Sequence, residues 1–189
     1  MGRSRKLLLP FGPETMLQRV VRLLGAVVSP IVAVAATDQV LPDLPGDVIV
    51  TRDEHEGRGP LEGLRAGLKA LPADVDMAYV TSCDVPLLEP GFVRQILDFA
   101  DGFDIAVMQI DGFTHPLSAV YRRATLPAVE DLLGRNQLRP AFLFETVRTR
   151  RVQPAEMTAD PTLRTLRNLN TREDYEQALE AALKRRPTP

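Results

Sequence analysis

Two hydrophobic rhythms alternate along the chain. Short runs that are apolar at nearly every position recur at Ile31–Ala36, Asp47–Thr51, Met77–Cys83, Asp104–Ile110 and Leu117–Tyr121. Runs of this kind read as strands buried on both faces, the pattern of a parallel sheet. Between them apolar residues repeat at intervals of three and four, as in Leu17, Val20, Val21 and Leu24, then Leu61, Leu64, Leu68 and Leu71, then Phe92, Val93, Ile96 and Leu97. That spacing puts one apolar stripe on each helix. Buried strands alternating with amphipathic helices predict an α/β fold, a mostly parallel sheet with helices on both sides.

Proline marks the boundaries. Pro60, Pro90, Pro127 and Pro140 each stand where a first helical turn begins, and there the missing N–H costs nothing. The last segment repeats the helical stripe with Tyr175, Ala178, Leu179, Ala182 and Leu183, and Thr171 is placed to cap it. Residues 184–189 read as a frayed tail. Arg135–Pro161 is the least regular stretch, with Pro154 and Pro161 bracketing a loop. There is no repeat and no linker, so a single domain over 1–189 is expected.

Composition narrows the function classes. The chain of 189 residues is 44% apolar, enough for one sizeable core. Its 23 basic and 25 acidic side chains nearly cancel and form no basic stripe. Nucleic-acid coats and membrane-surface proteins need clustered positive charge, so both are excluded, whereas small anionic substrates are not. A single cysteine, Cys83, rules out an internal disulfide, and with two histidines it cannot complete a four-ligand zinc site. The apolar run Leu7–Leu9 stops at Pro10, too short for a signal-peptide core, and no stretch approaches the roughly 20 apolar residues of a membrane span. A cytoplasmic setting is expected.

Ligands of open parallel sheets bind beyond the carboxyl ends of the strands. Asp84 closes the run Met77–Cys83, and a carboxylate there can hold Mg²⁺ together with substrate phosphates. The local sequence allows equally a simple turn ahead of Pro86. Cys83 has no neighbouring base and reads as filler. Asp53 follows a second strand, and the glycine-rich turn Gly57–Gly63 leads into a helix whose free N–H groups attract anions. Arg3, Arg5 and Lys6 could grip phosphate oxygens or form only a solvated terminus. His115, before Pro116, reads as a loop residue, and no serine–histidine–carboxylate order is convincing.

Together these segments resemble the molybdenum cofactor guanylyltransferase family, nucleotidyltransferases with a three-layer Rossmann-like fold. The likeness covers nearly the whole chain. It rests on Met1-Gly2-Arg3-Ser4-Arg5-Lys6-Leu7-Leu8, Gly59-Pro60-Leu61-Glu62-Gly63-Leu64, Cys83-Asp84-Val85-Pro86-Leu87, His115-Pro116-Leu117 and Asn168-Leu169-Asn170-Thr171-Arg172-Glu173-Asp174. Each motif is short, and their order and spacing carry the match. The resemblance implies transfer of GMP from GTP to molybdopterin cofactor with release of pyrophosphate. It assigns Lys6 and Asp84 to catalysis, Asp84 to Mg²⁺, and Gly2, Arg3, Lys6, Asp53, Gly59, Pro60 and Gly63 to the nucleotide. His115, Arg139, Asn168 and Asn170 would face the pterin.

Two departures bear on that expectation. The family carries a buried strand and a glycine-rich phosphate loop ahead of the Met-Gly step, and here that step is Met1-Gly2. The first strand is then expected to be missing from the sheet and the native chain to be longer upstream. An exposed gap would also favour pairing between chains. The run Ile31–Ala36, moreover, ends without the asparagine many relatives carry nearby. The competing expectations are a non-catalytic relative that lost the phosphate cradle, and a transferase with another acceptor, such as a sugar phosphate, a phospholactate or, by cytidylyl transfer, the same pterin.

Overall fold

The computed structural model describes residues 6–55 and 57–183, so the expected tail at 184–189 lies outside the described residues. From the N-terminal side, β1 (Pro10–Phe11) and β2 (Glu14–Thr15) form a short antiparallel ribbon that leads into α1 (Met16–Gly25). β3 (Val32–Ala35) and β4 (Ile49–Arg52) pair in parallel, and α2 (Pro60–Ala70) follows. Then come β5 (Met77–Thr81), α3 (Pro90–Asp98), β6 (Ile105–Ile110), β7 (Phe113–Arg122), α4 (Leu126–Gly134), α5 (Pro140–Thr146), β8 (Thr149–Val152) and α6 (Arg172–Leu183). The four expected prolines all fall at the first or second position of their helices. Thr171 caps α6 as expected, its Oγ1 accepting from Asp174 N at 3.0 Å. Among the described residues no helix is long and apolar enough to cross a membrane.

The sheet is mixed, which corrects the expectation of a mostly parallel one. Four strands run in the order β5-β7-β6-β8, with β7 antiparallel to both β5 and β6, and β8 parallel to β6. The cause is local. Asp111 and Gly112, with φ of 48° and 81°, form the two-residue turn between β6 and β7. Paired positive φ values match the twist of a hairpin, and a hairpin makes its strands antiparallel. His115 and Pro116 accordingly sit within β7 and not in a loop. β8 lies in the stretch with no readable rhythm because Thr149-Arg150-Arg151-Val152 is a polar edge strand with only Val152 buried.

Alternate residues of β6 and β7 build two cores on opposite faces of the sheet. Ile105, Val107, Ala119 and Tyr121 pack with Leu61, Leu64 and Leu68 of α2 and with residues of α4 and α5. Ala106, Met108 and Val120 pack the other way, against Phe92 and Ile96 of α3. Helices therefore cover both faces, as expected. β3 and β5 depart from the expected two-sided burial. Among the described residues each is bonded on one edge only, β3 to β4 and β5 to β7, and the two line one cleft, β5 half-buried throughout and β3 mixed, with Val34 exposed and Ala35 buried.

Candidate functional site

Beyond Thr81 the chain leaves β5 through Ser82, Cys83 and Asp84, and Val85, Leu87 and Leu88 anchor the turn in the interior. Asp84 is held from three sides. Ser82 donates its hydroxyl to Asp84 Oδ1 at 2.5 Å, Leu169 N donates to the Asp84 carbonyl at 3.0 Å, and Lys6 Nζ lies 3.4 Å from Oδ2. Lys6 also donates to Asn170 Oδ1 at 2.9 Å and is only 7% exposed. Asn170 is fixed in turn by the cap of α6, where the Asp174 carboxylate accepts from Asn170 N and Thr171 N at 3.1 and 2.8 Å. A buried cation, a carboxylate and an amide thus meet at the end of β5.

Across the cleft stands the turn that opens α2. Gly59 has φ 71° and ψ −163°, a conformation essentially closed to side-chain-bearing residues, and Pro60 starts the helix directly after it. One turn on, Gly63 faces the β4 exit, where a Cβ would lie in ordinary contact with Asp53 Oδ1 at 3.7 Å. Asp53 extends the β3–β4 ladder by donating its N–H to the Ala35 carbonyl at 2.9 Å. Its Oδ1 is buried and has no hydrogen-bond partner among the described residues. Burial raises the carboxyl pKa, the Glu62 carboxylate adds to the rise, and Arg65 opposes it.

The cleft between these two corners has a volume of about 1050 Å³ and is lined by Lys6, Asp84 and Asn170 at one corner and by Asp53, Gly59 and Gly63 at the other. Pro60 and Asn168 also line it. His115 and Arg139 do not. His115 is half-buried in β7, where burial lowers its pKa, two positions from Leu117, which does line the cleft. Arg139 is exposed ahead of α5. Gly2 and Arg3 lie outside the described residues. Cys83 lines the cleft with its thiol pKa pushed up by burial and by Asp84, which makes it a poor nucleophile.

Among the described residues no group of three histidine, cysteine or acidic side chains could hold a metal ion. A hard cation that keeps its waters and takes phosphate oxygens needs only one or two carboxylates. Asp84 fits that demand, since Ser82 and Lys6 each engage one oxygen and a carboxylate oxygen has a second lone pair. Sequence reasoning missed Ser82, whose only signal is its place two residues before Asp84. It also missed Arg58, which lines the cleft while donating to the Leu133 carbonyl at the end of α4.

The chain has clear relatives. The family described as MobA-like NTP transferase domain matches residues 1–149. A Carboxydothermus hydrogenoformans protein named "probable molybdenum cofactor guanylyltransferase" is 30% identical over 181 residues, 95% of this chain and 88% of that protein. A Mycobacterium tuberculosis protein of the same name is 35% identical over 159 residues, 82% of this chain and 78% of that protein. Molybdopterin-guanine dinucleotide biosynthesis protein A of Archaeoglobus fulgidus shares the fold, with a TM-score of 0.76 at 17% identity over 95% of this chain and 91% of that one.

Proposed function

The chain belongs to the MobA-like NTP transferase family, and from that premise we propose that it transfers GMP from GTP to the terminal phosphate of molybdopterin cofactor, releasing pyrophosphate. The observation that carries this reading is the convergence of Lys6, Asp84 and Asn170 at one corner of a cleft whose opposite corner holds Asp53 and the Gly59–Gly63 turn. Phosphates belong at the first corner. The base belongs at the second, where the Asp53 carboxylate offers only acceptors, matching the N1–H and 2-amino donors on the edge of guanine.

The nucleophile is already a phosphate oxygen, so no general base is needed, and the protein has to align the reactants and absorb charge. Lys6 supplies a compact cation with three rotatable donors. Its 3.4 Å separation from Asp84 is long for a charged hydrogen bond, which leaves the ammonium free to turn toward a phosphate. Asp84 would hold Mg²⁺, which when bound would offset the charge growing on the leaving pyrophosphate. Asn168 and Asn170 stand where an acceptor phosphate could meet that corner. His115 and Arg139, carried by resemblance, would contact only a pterin that extends past the cleft wall.

Incubation with GTP, Mg²⁺ and molybdopterin cofactor should yield the guanine dinucleotide and one pyrophosphate per transfer. Asp84→Asn should lower turnover by about 10²–10³, the scale of removing one charge-stabilising group. Transfer that proceeds equally well from CTP, or to a sugar phosphate, would replace this reading with another nucleotidyl transfer. Absence of GTP binding by isothermal titration would overturn it.

A further inference from the structure

Three buried side-chain atoms without a hydrogen-bond partner among the described residues, Asp53 Oδ1, Glu62 Oε2 and Arg65 Nε, belong to one cluster beneath the base corner of the cleft. Glu62 is the unexpected member. It is 1% exposed, and taking a carboxylate out of water costs more than a place in the first turn of a helix returns. Arg65, 11% exposed, offsets that cost. Its guanidinium lies 2.5 Å from Glu62 Oε1, 2.8 Å from Glu54 Oε2 and 3.3 Å from His55 Nδ1. His55 Nδ1 lies 3.4 Å from Glu62 Oε1 as well. One buried ion pair on α2 therefore gathers the segment that leaves β4, and Asp53 heads that segment.

Glu62 does not line the cleft, and Asp53 does. An apolar side chain would serve equally well to pack α2 against the loop. A charge placed there does something more, because it acts on Asp53, which among the described residues is the carboxylate that faces the cleft from this side. We propose that Glu62 is a positioning residue for nucleobase recognition, holding Asp53 toward the base through Arg65 and the Asp53–His55 segment. The inference rests on the reading that Asp53 meets the base.

Among the described residues, few charged groups surround Asp53. α2 presents Glu62 and Arg65, β3 presents the apolar Val34 beside Gly63, and the Asp53 segment itself carries Glu54 and His55. Arg52 is turned away, donating to the carbonyls of Ala36, Thr37 and Gln39. Glu62 raises the pKa of Asp53, so its removal should let Asp53 ionise at lower pH.

The test is isothermal titration of the full chain with GTP and with ITP, which lacks the 2-amino donor, from about pH 4 to 8, the range over which a raised carboxyl titrates. For wild type, binding of GTP should exceed that of ITP and weaken below the Asp53 pKa. E62Q should narrow the GTP-over-ITP ratio about tenfold, equivalent to about 1.4 kcal/mol, and move the acid limb to lower pH. E62D, which keeps the charge, should leave the limb where wild type has it. If E62Q does not fold, E62M, of similar volume and no charge, is read in the same way. Equal losses of GTP and ITP affinity with an unmoved limb would mean a structural brace only and would overturn the inference. D53N separates the two readings: if it leaves the ratio unchanged, Asp53 does not read the base and both fail, whereas if it abolishes the ratio while E62Q has no effect, the inference alone fails.

Discussion

At the scale of single residues, the site depends on a lysine kept out of solvent. Lys6 is held by Asn170 and lies loosely against Asp84, so its charge is aimed at the cleft before any substrate arrives. Lys6→Met should weaken GTP binding by about 10- to 100-fold, the loss of one or two charge-assisted hydrogen bonds of about 1.5–3 kcal/mol. The same titration should show Lys6→Arg recovering part of that loss, because the guanidinium keeps the charge but is a larger, planar group. Unchanged affinity in Lys6→Met would place the triphosphate elsewhere. Lys6 and Asp84 were legible as candidates in the sequence, one after a basic step and one at a strand end. Ser82 and Asn170 as their holders were not, because a hydroxyl or an amide carries no local pattern that distinguishes a buried partner from a surface residue.

At the scale of elements, the start of α2 is the exacting one. Gly59 has open space where a Cβ would go, so its φ and ψ alone demand glycine there. Gly59→Ala should cost about 1–3 kcal/mol in chemical denaturation, the range for a side chain forced into a glycine-only region. It should also raise the KM for GTP more than it lowers kcat, since the turn lines the corner of the cleft proposed for the base rather than the Lys6–Asp84 corner. Helix starts were legible because proline and the Thr171 cap act within a few residues. Strand direction was less so. Hydrophobic runs at Asp104–Ile110 and Leu117–Tyr121 look alike in a parallel or an antiparallel sheet, and the Asp111–Gly112 turn between them decides.

Across the whole molecule, the cleft divides the strands into two groups. The edges of β3 and β5 that face it have no strand partner among the described residues. Their cleft-facing amides should exchange with deuterium well ahead of those shared between β6 and β7, because exchange follows the local free energy of opening. GTP with Mg²⁺ should slow exchange at Gly59–Gly63 and Ser82–Asp84 most. Protection spread evenly over all strands would instead mean that the two groups open as one unit.

The sequence by itself determined the alternation of strands and helices, the helix starts, and the carboxylates at strand ends. All of these are short-range properties, set by side-chain periods and by steric rules that act within a few residues. Tertiary structure alone decided the placing of β7 beside β5, the burial of Glu62, and the meeting of Lys6 with Asn170 across 164 positions of chain. Those depend on which distant surfaces exclude water together, and no local period encodes that.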